Sequence, residues 1–153
     1  MSAGSELIVM FETILVPTDG SEGTERAAEV ALTLAAEQEA SLHVLHVVDT
    51  SVLPLDGHSK ALLETLEERA EASVTDLVER AAGRGIDPVS GDLREGVPHR
   101  EILDYAADND VDLIVMGTHG RSELGKMVLG SVTDRVIRRA SIPVLTVRMP
   151  SDE

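Results

Sequence analysis

Asp112-Leu113-Ile114-Val115-Met116-Gly117-Thr118-His119-Gly120-Arg121 is the stretch on which the reading of the fold turns. A short, wholly aliphatic run ended by glycine reads as a strand buried on both faces. Before it, Pro98 opens a helix that carries Ile102, Leu103 and Ala106. After it, a glycine-rich stretch leads to Gly130-Ser131 and a helix from about Ser131 to Arg139, and Pro143 to Val147 reads as a last strand. The N-terminal half repeats the alternation. Thr13-Ile14-Leu15-Val16-Pro17 is a strand ended by Asp19 and Gly20, and Ser21 suits the N-cap of the following helix. That helix carries Ala27, Val30, Ala31, Leu34 and Ala35 at helical spacing. Leu42 to Val48 is a second strand, residues 49 to 58 a loop, and Ser59 to about Ala82 a long helix. Its apolar side holds Leu62, Leu63, Leu66, Ala70, Val74, Leu77, Val78 and Ala81, and Arg84 and Gly85 stop it. Val89 to Leu93, opened by Pro88 and followed by charges, reads as a strand at a sheet edge. Continuous apolar strands alternating with helices indicate a parallel sheet covered on both faces.

Composition narrows the function. The 153 residues are 42% hydrophobic, enough for a core that buries roughly 70% of the unfolded surface. Phe11 and Tyr105 are the only aromatic residues, so no stacking platform for single-stranded nucleic acid can be built. The formal charge is −15, with 28 acidic and 13 basic residues, a field that repels a phosphate backbone. Only Lys60 and Lys126 are lysines. Abundant carboxylates with few lysines fit a salt-rich cytoplasm, where the Debye length shrinks to about 3 Å at 1 M and self-repulsion is screened. The absence of cysteine excludes a disulfide framework and a thiolate metal site. No apolar run approaches the roughly 18 residues of a membrane helix. The expectation is a cytoplasmic chain with no nucleic-acid or membrane partner. Residues 1–9 read as a flexible leader, or as translation from a start codon upstream of Met10. Residues 10–149 read as one domain and 150–153 as a tail.

In an open parallel sheet, ligands bind beyond the carboxyl ends of the strands where the strand order reverses. Two strand ends carry unusual residues: Val16-Pro17-Thr18-Asp19-Gly20 and Met116-Gly117-Thr118-His119-Gly120. Gly117 and Gly120 let the backbone approach a ligand. Gly130 and Ser131 stand where the next helix begins, and its free N–H groups and dipole make an anion site. Ser131 suits both an N-cap and a phosphate contact. The spacing is that of neither a P-loop nor a dinucleotide-binding fingerprint.

Gly117-x2-Gly120-x9-Gly130-Ser131 resembles the nucleotide-binding signature of the universal stress proteins of the ATP-binding class. Phe11-Glu12-Thr13-Ile14-Leu15-Val16-Pro17-Thr18-Asp19-Gly20-Ser21 is similar to the opening strand and turn of that family, Asp112 to Arg121 to its fourth strand, and Ser141 to Val147 to its last. The resemblance covers about Met10 to Arg148. It implies an α/β fold, an open parallel five-stranded sheet of order 3-2-1-4-5 with helices on both faces, Rossmann-like and of the adenine nucleotide alpha hydrolase type. It implies an adenine nucleotide, ATP with Mg on its phosphate oxygens. Asp19 would meet the nucleoside, with Pro17 and Thr18 shaping that pocket. Val47 would offer backbone hydrogen bonds to adenine, and Met116 and Gly117 would lie against ribose and adenine. Gly120, Gly130, Ser131 and Val132 would cradle the phosphates. It also implies a homodimer paired through the last strand, Pro143 to Arg148, where Ile142, Val144, Leu145 and Val147 make the edge apolar.

Asp19 suits a turn cap as well as a ligand contact, and its strand-end position favours binding. Arg121 and Lys126 are the loop cations; either neutralises phosphate or is solvent-exposed. Gly125 reads as a loop residue. His119 has no evident nucleophile partner, and His43, His46, His58 and His99 show no metal-ligand spacing. The reading is a nucleotide-dependent stress-response regulator with little intrinsic hydrolysis and an unknown protein partner. The alternatives are a slow ATPase or nucleotidyl transferase on the same scaffold, or a ligand-free interaction module. The transferase patterns His-x-Gly-His and Ser-Gly-Gly-x-Asp-Ser are missing, and the glycine signature is complete.

Overall fold

A computed structural model describes residues 10–52, 59–118 and 130–148. Along the described chain run β1 (Thr13–Pro17), α1 (Glu22–Gln38), β2 (Ser41–Asp49), a 3-10 turn (Thr50–Val52), α2 (Ser59–Gly83), β3 (Val89–Gly96), α3 (Pro98–Asp108), β4 (Leu113–Gly117), α4 (Ser131–Arg139) and β5 (Val144–Val147). Every strand pairing is parallel and the order is β3-β2-β1-β4-β5, as expected from the alternation of elements and the resemblance. β1 and β4 are therefore neighbours whose following helices leave in opposite directions, which is the switch point.

Side chains alternate across each strand, and each face of the sheet has its own core. Ile14, Val16, Leu42, Val44, Leu113 and Val115 pack under α1 and α2. Leu15, Leu45, Ile114 and Met116 pack against Ile102, Tyr105 and Ala106 of α3 and Val136 of α4. Each fully buried Leu, Ile or Val contributes about 1.5–3 kcal/mol. The Asp112 carboxylate joins the starts of β1 and β4: Oδ2 accepts the Glu12 N–H at 3.0 Å and Oδ1 the Thr13 N–H at 3.1 Å.

Two helix faces differ from the periodicity. In α1 the buried stripe is Gly23, Ala27, Ala28, Ala31, Leu32 and Ala35, while Val30 and Leu34 are only partly buried. The stripe is mostly alanine, with Leu32 its one large side chain, which lets the helix sit close on the sheet. In α2 the core takes Ala70, Val74, Leu77 and Ala81. Leu62 is 40% exposed, and Leu63 and Leu66 are half-buried, so the first part of α2 extends past the core. The two helices are also tied on the surface. Arg80 binds Glu25 at 2.6 Å, Asp76 at 3.3 Å and Glu29, which in turn accepts Arg84 at 2.8 Å. Hydrogen bonding from Arg84 holds the Glu29 carboxyl below its usual range against an opposing burial penalty, helped by the hydrogen bond from Arg80 and the two charges. The partners are largely exposed, so this network is weak and salt-sensitive.

The two edges of the sheet differ. On the β3 edge, Arg94 reaches Asp108 at 3.5 Å and Glu101 at 3.8 Å and stacks over the Tyr105 ring at 4.9 Å. The β5 edge presents Leu145, 37% exposed, and α4 carries a second exposed aliphatic side chain, Ile137, 41% exposed.

Candidate functional site

β1 ends in a turn built around Asp19. Its Oδ1 accepts the Ser21 N–H at 2.9 Å and lies 3.2 Å from the Thr24 hydroxyl. The Thr18 hydroxyl accepts the Gly20 N–H at 3.1 Å, and the Thr18 N–H donates to the Leu45 carbonyl at 2.8 Å. Asp19 therefore performs the turn-capping role read as one of its two uses, and its strand-end position keeps the second use open. Ser21 occupies the N-cap of α1, but its side chain makes no capping bond; its buried Oγ has no hydrogen-bond partner among the described residues. The expected side-chain cap is replaced by the Asp19 carboxylate and the Thr24 hydroxyl, which organise the same turn.

The end of β4 is held to the start of α4 by two bonds and to β5 by a third. Thr133 Oγ1 donates to the Gly117 carbonyl at 2.8 Å, the Gly130 N–H to the Thr118 carbonyl at 2.6 Å, and the Thr118 N–H to the Val147 carbonyl at 3.0 Å. Gly130 is the N-cap of α4 and Ser131 its first helical residue. This corrects the expectation that Ser131 caps the helix. As an exposed first-turn residue it keeps its hydroxyl available beside the helix N–H groups that favour an anion.

These endings line one cleft of about 970 Å³, at the upper end of the roughly 300–1,000 Å³ typical of small-molecule sites. It brings together Pro17, Thr18, Asp19, Val47, Met116, Gly117, Gly130, Ser131 and Val132. Gly120 and Arg121, with His119, Gly125 and Lys126, lie outside the described residues, as do residues 1–9 and 149–153. The cleft straddles the end of the sheet. On the α3/α4 side its wall is apolar: Pro17, Val47, Pro98, Ile102, Met116 and Val132. On the α1/α2 side it is polar, with Thr24, His46, Arg69, Ser73 and Asp76. The sequence analysis assigns no role in the site to His46 or to any residue of α2, and so misses this second wall. Its signal was available in the helical spacing of Leu66, Arg69, Ser73 and Asp76. Ser73 Oγ donates to the Ala70 carbonyl at 3.1 Å, so it accepts from His46 Nδ1, 3.1 Å away.

A second hollow, about 600 Å³, is lined by Glu64, Glu67, Glu68, Glu71 and Glu95. A hydrogen bond to Glu95, with some desolvation and the nearby carboxylates, raises the pKa of Glu67. Such a wall repels an anionic ligand. Among the described residues no group of three His, Asp or Glu is placed to hold a metal ion, and no helix is long and apolar enough to cross a membrane.

His99, beside Pro98 at the cleft, is buried and lies with Nε2 2.7 Å from Arg139 Nη1 of α4. An arginine only donates, so the imidazole accepts and is neutral. Burial, followed by the charges of Arg139, Arg135 and Arg100, lowers its pKa. The unfolded chain then takes up a proton near the ordinary value of about 6.5 that the folded chain resists. Stability is complete above that value and is lost as the pH falls below it. Between pH 7.5 and 5.5 the melting temperature of the wild type is expected to fall further than that of His99→Gln, as thermal melts at the two pH values would show.

A model of the universal stress protein family matches residues 10–148. Universal stress protein MJ0531 of Methanocaldococcus jannaschii is 37% identical, over 94% of this chain and 86% of that protein. The solved structure of MJ0577 from the same organism superposes with a TM-score of 0.87 at 33% identity, over 93% of this chain and 99% of that one. A universal stress protein crystallised in complex with cAMP superposes with a TM-score of 0.67 at 26% identity, over 92% and 98%.

Proposed function

This chain belongs to the universal stress protein family, and from that premise we propose that it is an ATP-binding regulatory protein whose occupancy sets its conformation or its partners. The observation that carries this reading is the cleft itself: an apolar wall beside the N-terminus of α4, at the switch point of the sheet. The wall of Val47 and Met116 suits a base, and the helix start at Gly130, Ser131 and Val132 suits phosphate. Asp19 meets the nucleoside, Pro17 and Thr18 shape its pocket, the Val47 backbone pairs with adenine, and Gly117 lies against ribose. Gly120 and Arg121 complete the phosphate side. The cAMP held by one relative supports a nucleotide in this fold. Magnesium would ride on the phosphate oxygens and neutralise their charge. The loop sequence offers no clear water-activating carboxylate or arginine finger, and the reading carries little intrinsic hydrolysis.

The test is calorimetric titration of nucleotide-stripped protein with ATP and with AMP, magnesium present, in high salt. Tight ATP binding and weaker AMP binding are expected. Failure of both to bind overturns the reading. The protein also pairs with a second copy through Pro143 to Arg148, supported by the apolar β5 edge. Sedimentation at micromolar protein in high salt should give the mass of two chains, and a monomeric mass would refute the pairing.

A further inference from the structure

Arg69 is the only lysine or arginine on the described wall of the cleft, which also carries the carboxylates Asp19, Asp49 and Asp76. Each carboxylate already has a donor. Asp19 accepts the Ser21 N–H, Asp49 the Ser51 N–H and hydroxyl, and Asp76 the Arg80 guanidinium. Arg69 has no carboxylate partner among the described residues, so its guanidinium remains available to a ligand. Its position is fixed by the turn of α2 that follows. Ser73 is held by His46 at 3.1 Å. The turn after β1 comes against the same serine because Gly20 adopts φ +79°, where a Cβ would sit 3.6 Å from Ser73 Cβ. Arg69, one helical turn earlier, therefore stands over the mouth of the cleft.

A phosphorylated ligand approaching a chain of formal charge −15 meets an opposing field unless a cation stands at the entrance. The planar fork of arginine matches phosphate oxygens better than a lysine does. We infer that Arg69 is a ligand of the phosphate chain of the bound nucleotide, reaching it from the α2 side opposite the N-terminus of α4. This rests on the nucleotide reading above and adds to it a residue from another helix. It also makes phosphate, rather than the base, the group that brings α2 into the site.

The experiment titrates wild type and Arg69→Gln with ATP and with adenosine at low and at high salt. For the variant, ATP affinity should fall at least about tenfold at low salt while adenosine affinity stays unchanged. The loss should shrink at high salt, and Arg69→Lys should recover part of it. Because Arg69 is exposed, the melting temperature should not move. Equal ATP affinity in wild type and Arg69→Gln, or parallel loss of ATP and adenosine, would sink the assignment and leave the nucleotide reading standing. A wild type that binds neither ligand would remove both.

Discussion

Asp19→Ala should raise the dissociation constant for ATP by roughly 10–100-fold. The carboxylate serves two purposes in the proposed site. It faces the nucleoside, and it holds the turn by accepting from the Ser21 N–H at 2.9 Å with the Thr24 hydroxyl 3.2 Å away. Alanine removes both, and each bond lost to a charged group is worth about 1.5–3 kcal/mol. Asp19→Asn separates them, since its amide oxygen still accepts from Ser21 while the charge is gone. An Asn variant that binds like wild type would assign the effect to turn geometry. An Asn variant as weak as Ala would assign it to the charge. Calorimetry on all three proteins, with melting temperatures as a check on folding, reads the difference. ATP binding by Asp19→Ala at wild-type strength would defeat the role given to this residue.

The largest expected loss of stability comes from a residue far from the cleft. Gly91 lies on β3 where α2 crosses it. A Cβ there would stand 2.8 Å from Val78 Cγ2 and closer still to Val74 Cγ1. Valine in a helix has one strongly preferred rotamer, so neither methyl can swing aside. The helix must lift or the edge strand must bend. Gly91→Ala should cost about 1–3 kcal/mol, which lowers the melting temperature by about 2–4 °C for each kcal/mol. Val74→Ala on its own leaves a small cavity, because Val74 is buried. Combining it with Gly91→Ala should return part of the loss, a coupling that a double-mutant cycle measures. Additive losses would show that the clash is relieved elsewhere.

The central strands and the helix at Ser131 were legible in the residues because those strands are short aliphatic runs with a turn residue after them, whereas the strand order came from the family resemblance and β3, Val-Ser-Gly-Asp-Leu-Arg-Glu-Gly, carries only a weak apolar signal. Val144 to Val147 and Leu113 to Gly117 needed nothing more. The glycine signature likewise announced Gly117, Gly130 and Ser131. What the sequence left open depends on three-dimensional packing. Helical spacing gave Leu62, Leu63 and Leu66 an apolar face, but it did not show that the sheet stops before it reaches them. In α1, Val30 and Leu34 are larger than Ala28 and Leu32 is comparable, so size alone would not predict the rotation of the stripe. Closeness to the sheet selected the alanines. Arg69 was hidden among the glutamates of α2, since a charged helix face reads as solvated until the cleft beneath it is known. Ser131 was assigned a capping role by type, whereas its hydrogen-bonded neighbour Gly130, tied to Thr118, took that position.

The unequal edges of the sheet limit how many copies an assembly can hold. Two chains that pair β5 to β5 turn each other's apolar strand inward, and the symmetry that joins them is used up in the one contact. What remains outside on either end is β3, defended by Arg94 and its acidic partners. In the proposed dimer a third chain would find no edge of the first kind to add to, so a ten-stranded sheet would close the set and a filament would have no way to start.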